Sequence, residues 1–147
     1  MKSNSLPTIL IADDDEDDRN WVKEALTESP VLSNTRFVTD GEELMDYLRH
    51  RGRFAAPGDL SYPGLIILDL NMPRKDGREA LKEIRSDPRL RHIPVVILTT
   101  SRAEADVFNT YNSGANTFIQ KPPTFDSLSQ IMRMLTHYWF EIAELPL

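Results

Sequence analysis

The chain has 147 residues, a length that predicts one domain with room for a hydrophobic core. Its net charge of -6 argues against general nucleic-acid binding, which needs a basic face, and the absence of cysteine excludes thiol nucleophiles and cysteine metal sites. The sequence contains no apolar run long enough for a transmembrane helix and no apolar signal core near residue 1, so we expect a cytoplasmic protein without a membrane partner.

Five short apolar segments alternate with helical patterns along the chain. The predicted strands cover residues 8–12, 36–38, 65–70, 93–98 and 117–120. A helical pattern follows each strand: one that ends before Ser29-Pro30, then 42–51, 77–87, 103–112 and about 124–140. Five strand–helix repeats predict an α/β fold, a doubly wound five-stranded parallel sheet with five helices on its two faces. We expect a single domain over residues 1–147, with its core at about 8–140 and an aromatic tail at 138–147.

The third predicted strand is followed by a carboxylate. Residues 65–68 are all apolar, as in a strand buried on both faces of a parallel sheet, and Asp69 comes directly after them. Pro73 and Gly77 place Asp69 on a turn at the carboxyl end of the strand, the edge at which open α/β sheets bind ligands. A cap of the next helix or the start of a turn explains Asp69 equally well, so this stretch alone leaves both interpretations open.

Six consecutive acids, residues 13–18, follow the first predicted strand. The later ones, Asp15 to Asp18, can cap the next helix and complement its dipole without any further function. That explanation does not cover Asp13 and Asp14, which lie right at the strand end. Like charges there cost stability unless a cation neutralises them.

Polar residues also end the fourth and fifth predicted strands. In a parallel sheet the carboxyl ends of the strands share one edge, which would bring together Asp13, Asp14, Asp69, Thr99, Thr100 and Lys121. Carboxylate oxygens suit a hard Mg²⁺ ion, and a carboxylate beside Mg²⁺, an ammonium and a hydroxyl is a good phosphoryl acceptor. Taken singly, a solvated lysine or a capping threonine is the ordinary interpretation; the joint pattern at four strand ends indicates a site.

These residues resemble the receiver domain of two-component response regulators, which has a flavodoxin-like fold. The resemblance covers about residues 8–140 and is carried by Asp13-Asp14, Asp69 to Pro73 with Gly77, Thr99, and Lys121-Pro122. It implies that Asp69 is the phosphoacceptor, that the Thr99 hydroxyl turns toward the aspartyl phosphate, and that Lys121 pairs with a phosphate oxygen. It also implies a signalling protein and not an enzyme.

The same resemblance implies a metal site and a switch. Mg²⁺ would be bound by Asp14 and Asp69, by Asp13 through a metal-bound water, and by the backbone carbonyl of Asn71. Phe118 would be the switch aromatic, which changes rotamer when Thr99 moves.

A finer resemblance is to the regulators of bacterial and cyanobacterial phytochrome histidine kinases. It is carried by residues 47–63, 69–79, 93–101 and 138–140. It implies a stand-alone receiver that takes phosphate from a sensor histidine kinase, has no DNA-binding module, and forms a homodimer through helix four, strand five and helix five with the C-terminal aromatics. The tail contains more apolar residues than one buried helix face needs; a tail folded back on its own domain and a dimer surface both explain them.

Two other function classes compete with a receiver. A Mg²⁺-dependent phosphatase with an aspartyl nucleophile would carry that Asp after its first strand and a second Asp two residues later, whereas Asp69 follows strand three and position 71 is Asn. A non-phosphorylated interaction module would not need the intact set Asp14, Asp69 and Lys121. The three histidines, His50, His92 and His137, lack metal-ligand spacing, and we expect them at the surface or at helix ends.

Overall fold

A parallel sheet of five strands forms the centre of the fold in the computed structural model, which describes residues 7–55 and 62–146. The strands are β1 (Ile9–Ala12), β2 (Thr35–Val38), β3 (Leu65–Leu68), β4 (Val95–Thr99) and β5 (Thr117–Gln120). Their order is β2-β1-β3-β4-β5, and every pairing is parallel. The predicted doubly wound α/β fold is therefore confirmed. The segment before β3 lies partly outside the described residues, at 56–61.

Five helices follow the strands in turn. They are α1 (Glu16–Ala25), α2 (Gly41–Leu48), α3 (Gly77–Ser86), α4 (Glu104–Asn112) and α5 (Phe125–His137). Side chains that accept a hydrogen bond from a first-turn N–H cap four of them: Asp15, Asp40, Asp76 and Thr124. Asp15 thus has the capping role predicted for the later acids. Because Asp76 caps α3, Asp69 is not the cap of that helix.

The core is divided by the sheet into two apolar clusters. All positions of β1, β3 and β4 are buried, as expected for central strands covered on both faces. On one face α1 and α5 contribute Val22, Leu26, Leu128 and Met132. On the other face α2 and α3 contribute Leu44, Leu48, Leu81 and Ile84. In the described ranges, no helix has the length and apolarity needed to cross a lipid bilayer.

Two helix ends and one apolar side chain differ most from the sequence-based expectations. Helix α2 ends at Leu48 instead of residue 51, because His50 and Gly52 adopt left-handed φ angles of 53° and 60°. Helix α5 ends at His137, and residues 138–142 continue as one wider π-helical turn. Phe108, an apolar residue of the helical pattern predicted at 103–112, is 70% exposed, so it does not anchor α4 to the core.

Candidate functional site

Three carboxylates meet at the carboxyl edge of the sheet. Strands β1 and β3 are neighbours, with Ala12 paired to Leu68, and the Asp69 N–H donates to the Ala12 carbonyl at 3.0 Å. The residues that follow the two strands are therefore side by side. One carboxylate oxygen from each of Asp13, Asp14 and Asp69 lies within 4.8 Å of the other two. Asp13 and Asp69 are buried, whereas Asp14 is exposed, so the cluster opens to solvent on one side.

Backbone contacts hold Asp13 in place at the end of β1. Its N–H donates to the Val38 carbonyl at 3.0 Å, and its side-chain Oδ1 accepts from the Asp15 N–H at 3.0 Å. The Arg19 guanidinium donates to its carbonyl at 2.8 Å. The Asp13 carboxylate is thus fixed with one oxygen satisfied locally and the other, Oδ2, facing the site.

The loop after β3 folds tightly against the start of α3. The Asn71 N–H donates to Asp69 Oδ1 at 3.3 Å, and the Gly77 N–H donates to the Leu70 carbonyl at 2.9 Å. A Cβ on Gly77 would lie 2.1 Å from the Asp69 carbonyl oxygen, a distance that no side chain tolerates. Glycine at position 77 therefore allows the close approach that orients the Asp69 loop.

Lys121 brings a buried ammonium into the same cluster. Its Nζ lies 2.8 Å from Asp13 Oδ2, 3.0 Å from Asp69 Oδ2 and 2.7 Å from Asp18 Oδ2. The backbone N–H of Lys121 donates to the Thr99 carbonyl at 2.7 Å, and this hydrogen bond joins the ends of β4 and β5. Sequence reasoning treated Asp18 only as a helix-start acid. Asp18 lies in the first turn of α1, on the side that faces the strand ends. That position was the signal from which its contact with Lys121 could have been predicted.

Burial and charge shift the pKa values of two of these groups. Burial raises the pKa of the Asp13 carboxyl to about 6, although the hydrogen bond from Lys121 opposes the shift. Burial alone would lower the pKa of the Lys121 ammonium. Hydrogen bonds to Asp13 and Asp18, and the charges of Asp13 and Asp69, outweigh it and raise that pKa above its ordinary value. The carboxylates around Lys121 therefore favour its charged form.

The predicted switch residues lie on β4 and β5: Thr99 ends β4, and Phe118 is the second residue of β5. Thr99 is fully buried, and its hydroxyl oxygen accepts from the Ser101 N–H at 3.4 Å, whereas Thr100 is exposed and outside the cluster. Phe118 is partly buried against the α2–α3 cluster, and its N–H donates to the Tyr111 hydroxyl at 3.1 Å. The three histidines, His50, His92 and His137, lie at the surface as predicted.

A second polar group next to the site was not predicted from the sequence. Two nitrogens of the Arg78 guanidinium donate to the Asp106 carboxylate, at 2.9 and 2.7 Å, and the Ser101 hydroxyl donates to the same carboxylate at 2.5 Å. The hydrogen bonds from Arg78 and Ser101 lower the pKa of Asp106 to about 2. Because Ser101 also contacts Thr99, this ion pair links α3 and α4 to the edge of the site.

The donor set at the strand ends fits a divalent cation. Three carboxylates within reach of one point offer only oxygen ligands, which hard cations prefer, and the exposed Asp14 leaves room for water ligands. The ammonium of Lys121 lies on the buried side of the cluster, where it can neutralise a second anionic group. The arrangement can therefore hold a cation and an anionic ligand together.

Comparison with known proteins identifies the class of protein that this fold and site define. Residues 9–133 match the response regulator receiver domain. The chain belongs to this family, whose members are signalling proteins with an acidic pocket for a divalent metal ion.

Among the relatives of this chain are regulators named for phytochromes. Response regulator Rcp1 of Synechocystis sp. PCC 6803 is 36% identical over 99% of this chain and 97% of its own length. The crystal structure of the phosphorylated cyanobacterial phytochrome response regulator RcpA matches with a TM-score of 0.90 and 42% identity, over 97% of this chain and 100% of that chain. The Mn²⁺-bound form of Rcp1 matches with a TM-score of 0.83 and 35% identity, over 96% and 99%.

Proposed function

We propose that this protein is a response regulator that accepts a phosphoryl group on Asp69 from a sensor histidine kinase. The observation that carries the proposal is the contact of the buried Lys121 ammonium with Asp69 Oδ2 at 3.0 Å, beside a carboxylate cluster suited to a cation. In the transfer, an Asp69 oxygen forms a bond to phosphorus while the phosphorus–nitrogen bond of the donor phosphohistidine breaks. Lys121 neutralises a phosphoryl oxygen as charge collects there.

The cation of this site is Mg²⁺ in our proposal. Asp14 and Asp69 would bind it directly, Asp13 through a metal-bound water, and Asn71 through its backbone carbonyl. The all-oxygen donor set supports this choice because Mg²⁺ keeps several waters and binds through one or two carboxylates. When bound, the ion neutralises the entering phosphoryl oxygens.

We further propose that phosphorylation moves Thr99 and Phe118. Thr99 is buried beside the site and held at its hydroxyl by one long hydrogen bond, so an anionic group on Asp69 can draw it in. Its shift would vacate space that the partly buried Phe118 can fill. The added phosphoryl charge would then shift the equilibrium between two conformations of α4 and β5.

A phytochrome-type histidine kinase in the cytoplasm is the proposed donor. The extent of the match to RcpA, whose structure is that of a phosphorylated phytochrome response regulator, supports this partner. Rcp1 matches this chain over nearly the same length. The likeness therefore covers the whole receiver and not only its acidic residues.

Substitution of Asp69 tests the proposed acceptor directly. Asp69→Asn is expected to abolish labelling by acetyl phosphate, and by a phosphorylated histidine kinase, in the presence of Mg²⁺. Asp17→Asn, which removes the same charge from an exposed position of α1, should label like the wild type. Thermal unfolding of both variants checks that they are folded. Equal labelling of Asp69→Asn and wild type would overturn the assignment.

We also propose that the protein forms a homodimer through α4, β5, α5 and the C-terminal turn. Four large apolar side chains on these elements are 50–70% exposed: Phe108, Met134, Tyr138 and Ile142. Trp139 and Phe140, by contrast, pack against the α1–α5 cluster, so a folded-back tail accounts for them. The exposed residues are the ones left for a partner copy.

Sedimentation velocity with and without beryllofluoride and Mg²⁺, which mimic the aspartyl phosphate, tests the dimer. Tyr138→Ala is expected to weaken self-association. Tyr62→Ala also removes an exposed aromatic ring, but from the segment before β3, and should leave it unchanged. A monomeric wild type under both conditions would contradict the dimer and leave the phosphoacceptor assignment intact.

A further inference from the structure

We propose that Asp18 is a positioning residue that holds the Lys121 ammonium away from the phosphoryl group. In this way Asp18 lowers the affinity of the site for that group. The inference rests on the proposed function of Asp69. The contact of Lys121 with Asp18 has no part in the proposed phosphoryl transfer. Asp18 Oδ2 lies 2.7 Å from Lys121 Nζ, the shortest of the three carboxylate contacts of that ammonium.

The donors of Lys121 are fully used in this arrangement. An ammonium has three N–H groups, and Asp13, Asp18 and Asp69 each lie within hydrogen-bond distance of its nitrogen. Asp13 and Asp69 come from strand ends, whereas Asp18 comes from the first turn of α1. Its position there is fixed, because its N–H donates to the capping carboxylate of Asp15 at 3.0 Å.

Asp18 acts on the site through Lys121 and not as a ligand of the cation. Among the described residues, the carboxylates whose oxygens come together are Asp13, Asp14 and Asp69, and Asp18 is not one of them. Its side chain is 31% exposed, against 10% for Lys121. Asp18 is therefore a charge at the rim that draws the ammonium toward α1.

Phosphorylation changes what Lys121 must bind. The Asp69 oxygen that joins phosphorus is no longer a free carboxylate oxygen, and the phosphoryl oxygens become the strongest acceptors near the ammonium. While Asp18 is ionised, one N–H of Lys121 stays committed to it, and the Asp18 charge also repels the phosphoryl group. An uncharged side chain at position 18 would release Lys121 toward the phosphoryl oxygens.

The same charge has the opposite effect on the cation. The Asp18 carboxylate adds negative potential near the cluster and competes with Asp13 and Asp69 for Lys121. Without it, Mg²⁺ loses attraction, and the ammonium turns more fully to the carboxylates that would bind the ion. Removal of the Asp18 charge is therefore expected to weaken Mg²⁺ binding while it strengthens binding of the phosphoryl mimic. A loosened or distorted site would weaken both.

The experiment compares Asp18→Asn with Asp17→Asn in the whole chain. Asn retains an oxygen acceptor and the side-chain size without the charge, and Asp17 is the adjacent, exposed acid of the same helix turn. Mg²⁺ affinity is measured first, by calorimetry and by tryptophan fluorescence, because Trp21 lines the small cavity next to Asp18 and Lys121. Beryllofluoride affinity is then measured at saturating Mg²⁺.

We expect Asp18→Asn to bind beryllofluoride about two- to fivefold more tightly and Mg²⁺ about two- to fivefold more weakly, in line with a partly exposed ion pair. Asp17→Asn should change each affinity less. If Asp18→Asn does not fold, Asp18→Ala serves in its place with the same expected directions. Weaker beryllofluoride binding, or equal changes in both variants, would overturn the role of Asp18. A wild type that binds no beryllofluoride would instead overturn the proposed function.

Discussion

Helices α3 and α4 follow adjacent strands of one sheet, yet they are attached to the domain in different ways. Helix α3 has a side-chain cap, Asp76, and buries Ala80, Leu81 and Ile84. Helix α4 has no side-chain cap, and its one buried residue is Thr110. The same strand–helix unit can therefore be fixed by apolar packing or held mainly at its polar residues.

The polar attachments of α4 lead directly to the candidate site. The Asp106 carboxylate binds Arg78 of α3 and the hydroxyl of Ser101, and the Ser101 N–H donates to Thr99. Hydrogen bonds and ion pairs can exchange partners when a charge is added nearby, whereas a packed apolar face has no comparable alternative. The weak packing of α4 is therefore compatible with the proposed charge-driven switch at Asp69.

The largest expected effect is a difference in the free energy of unfolding between a substitution in α3 and one in α4. Leu81→Ala in α3 should lower the free energy of unfolding by about 2–5 kcal/mol, because it leaves a cavity at a fully buried position. Phe108→Ala in α4 removes a larger side chain, but one that is 70% exposed. It should change the free energy of unfolding by less than about 0.5 kcal/mol. Urea unfolding of both variants measures the difference. Similar losses would show that α4 is packed as firmly as α3.

A medium effect is expected from the ion pair that holds α4. Asp106→Asn should lower the free energy of unfolding by about 1 kcal/mol at neutral pH, since it removes a charge that is bonded to Arg78 and Ser101. Glu104→Gln removes the same charge from the same first turn of α4, at an exposed position, and is the matched control. Chemical unfolding of the two variants gives both values.

The pH dependence of that stability follows from the pKa of Asp106. The folded-state pKa is about 2, below the value of about 3.9 for a free Asp side chain, so the folded chain binds the proton less readily. The contribution of Asp106 is therefore fully present above about pH 4 and is lost as the pH falls toward 2. The stability gap between wild type and Asp106→Asn should shrink over that range. A gap that is constant with pH would show that the ion pair does not stabilise the fold.

Much of the fold and of the acidic site could be predicted because both depend on local patterns. Buried parallel strands are short apolar runs, and a parallel sheet brings their carboxyl ends to one edge. For that reason the parallel arrangement of the strands was enough to predict that Asp13, Asp69 and Lys121 share one edge of the sheet. In the structure, Lys121 Nζ lies 2.8 Å from Asp13 Oδ2 and 3.0 Å from Asp69 Oδ2.

The contacts around α4 could not be predicted, because they depend on where helix side chains lie and not on which residues end the strands. Arg78 of α3 and Asp106 of α4 are separated by 28 residues, and neither follows a strand end directly. Phe108 and Tyr111 occupy helical spacing typical of a buried face, but whether such a face is covered depends on its neighbours. In this fold nothing among the described residues covers Phe108 enough to bury it.

The smallest expected effect concerns a hydrogen bond between a side chain of α4 and the backbone of β5, near the predicted switch. The Tyr111 hydroxyl accepts from the Phe118 N–H at 3.1 Å. Tyr111→Phe should lower the free energy of unfolding by about 0.5–1 kcal/mol, the usual net value of a neutral hydrogen bond. It should also speed hydrogen exchange of the Phe118 amide, measured by NMR. Tyr138→Phe, which removes a hydroxyl from another exposed ring, should do neither.

Both outcomes of this last comparison bear on how α4 is attached. Faster exchange confined to Phe118 and its neighbours would mean that Tyr111 joins α4 to the strand that carries Phe118, so that movement of the helix must be felt there. Unchanged exchange would mean that water replaces the hydroxyl at no cost, and that Asp106 is the polar side chain that holds α4 among the residues the structure describes. In that case the hydrogen bonds of Ser101 to Thr99 and to Asp106 would be the polar connection between the site and α4.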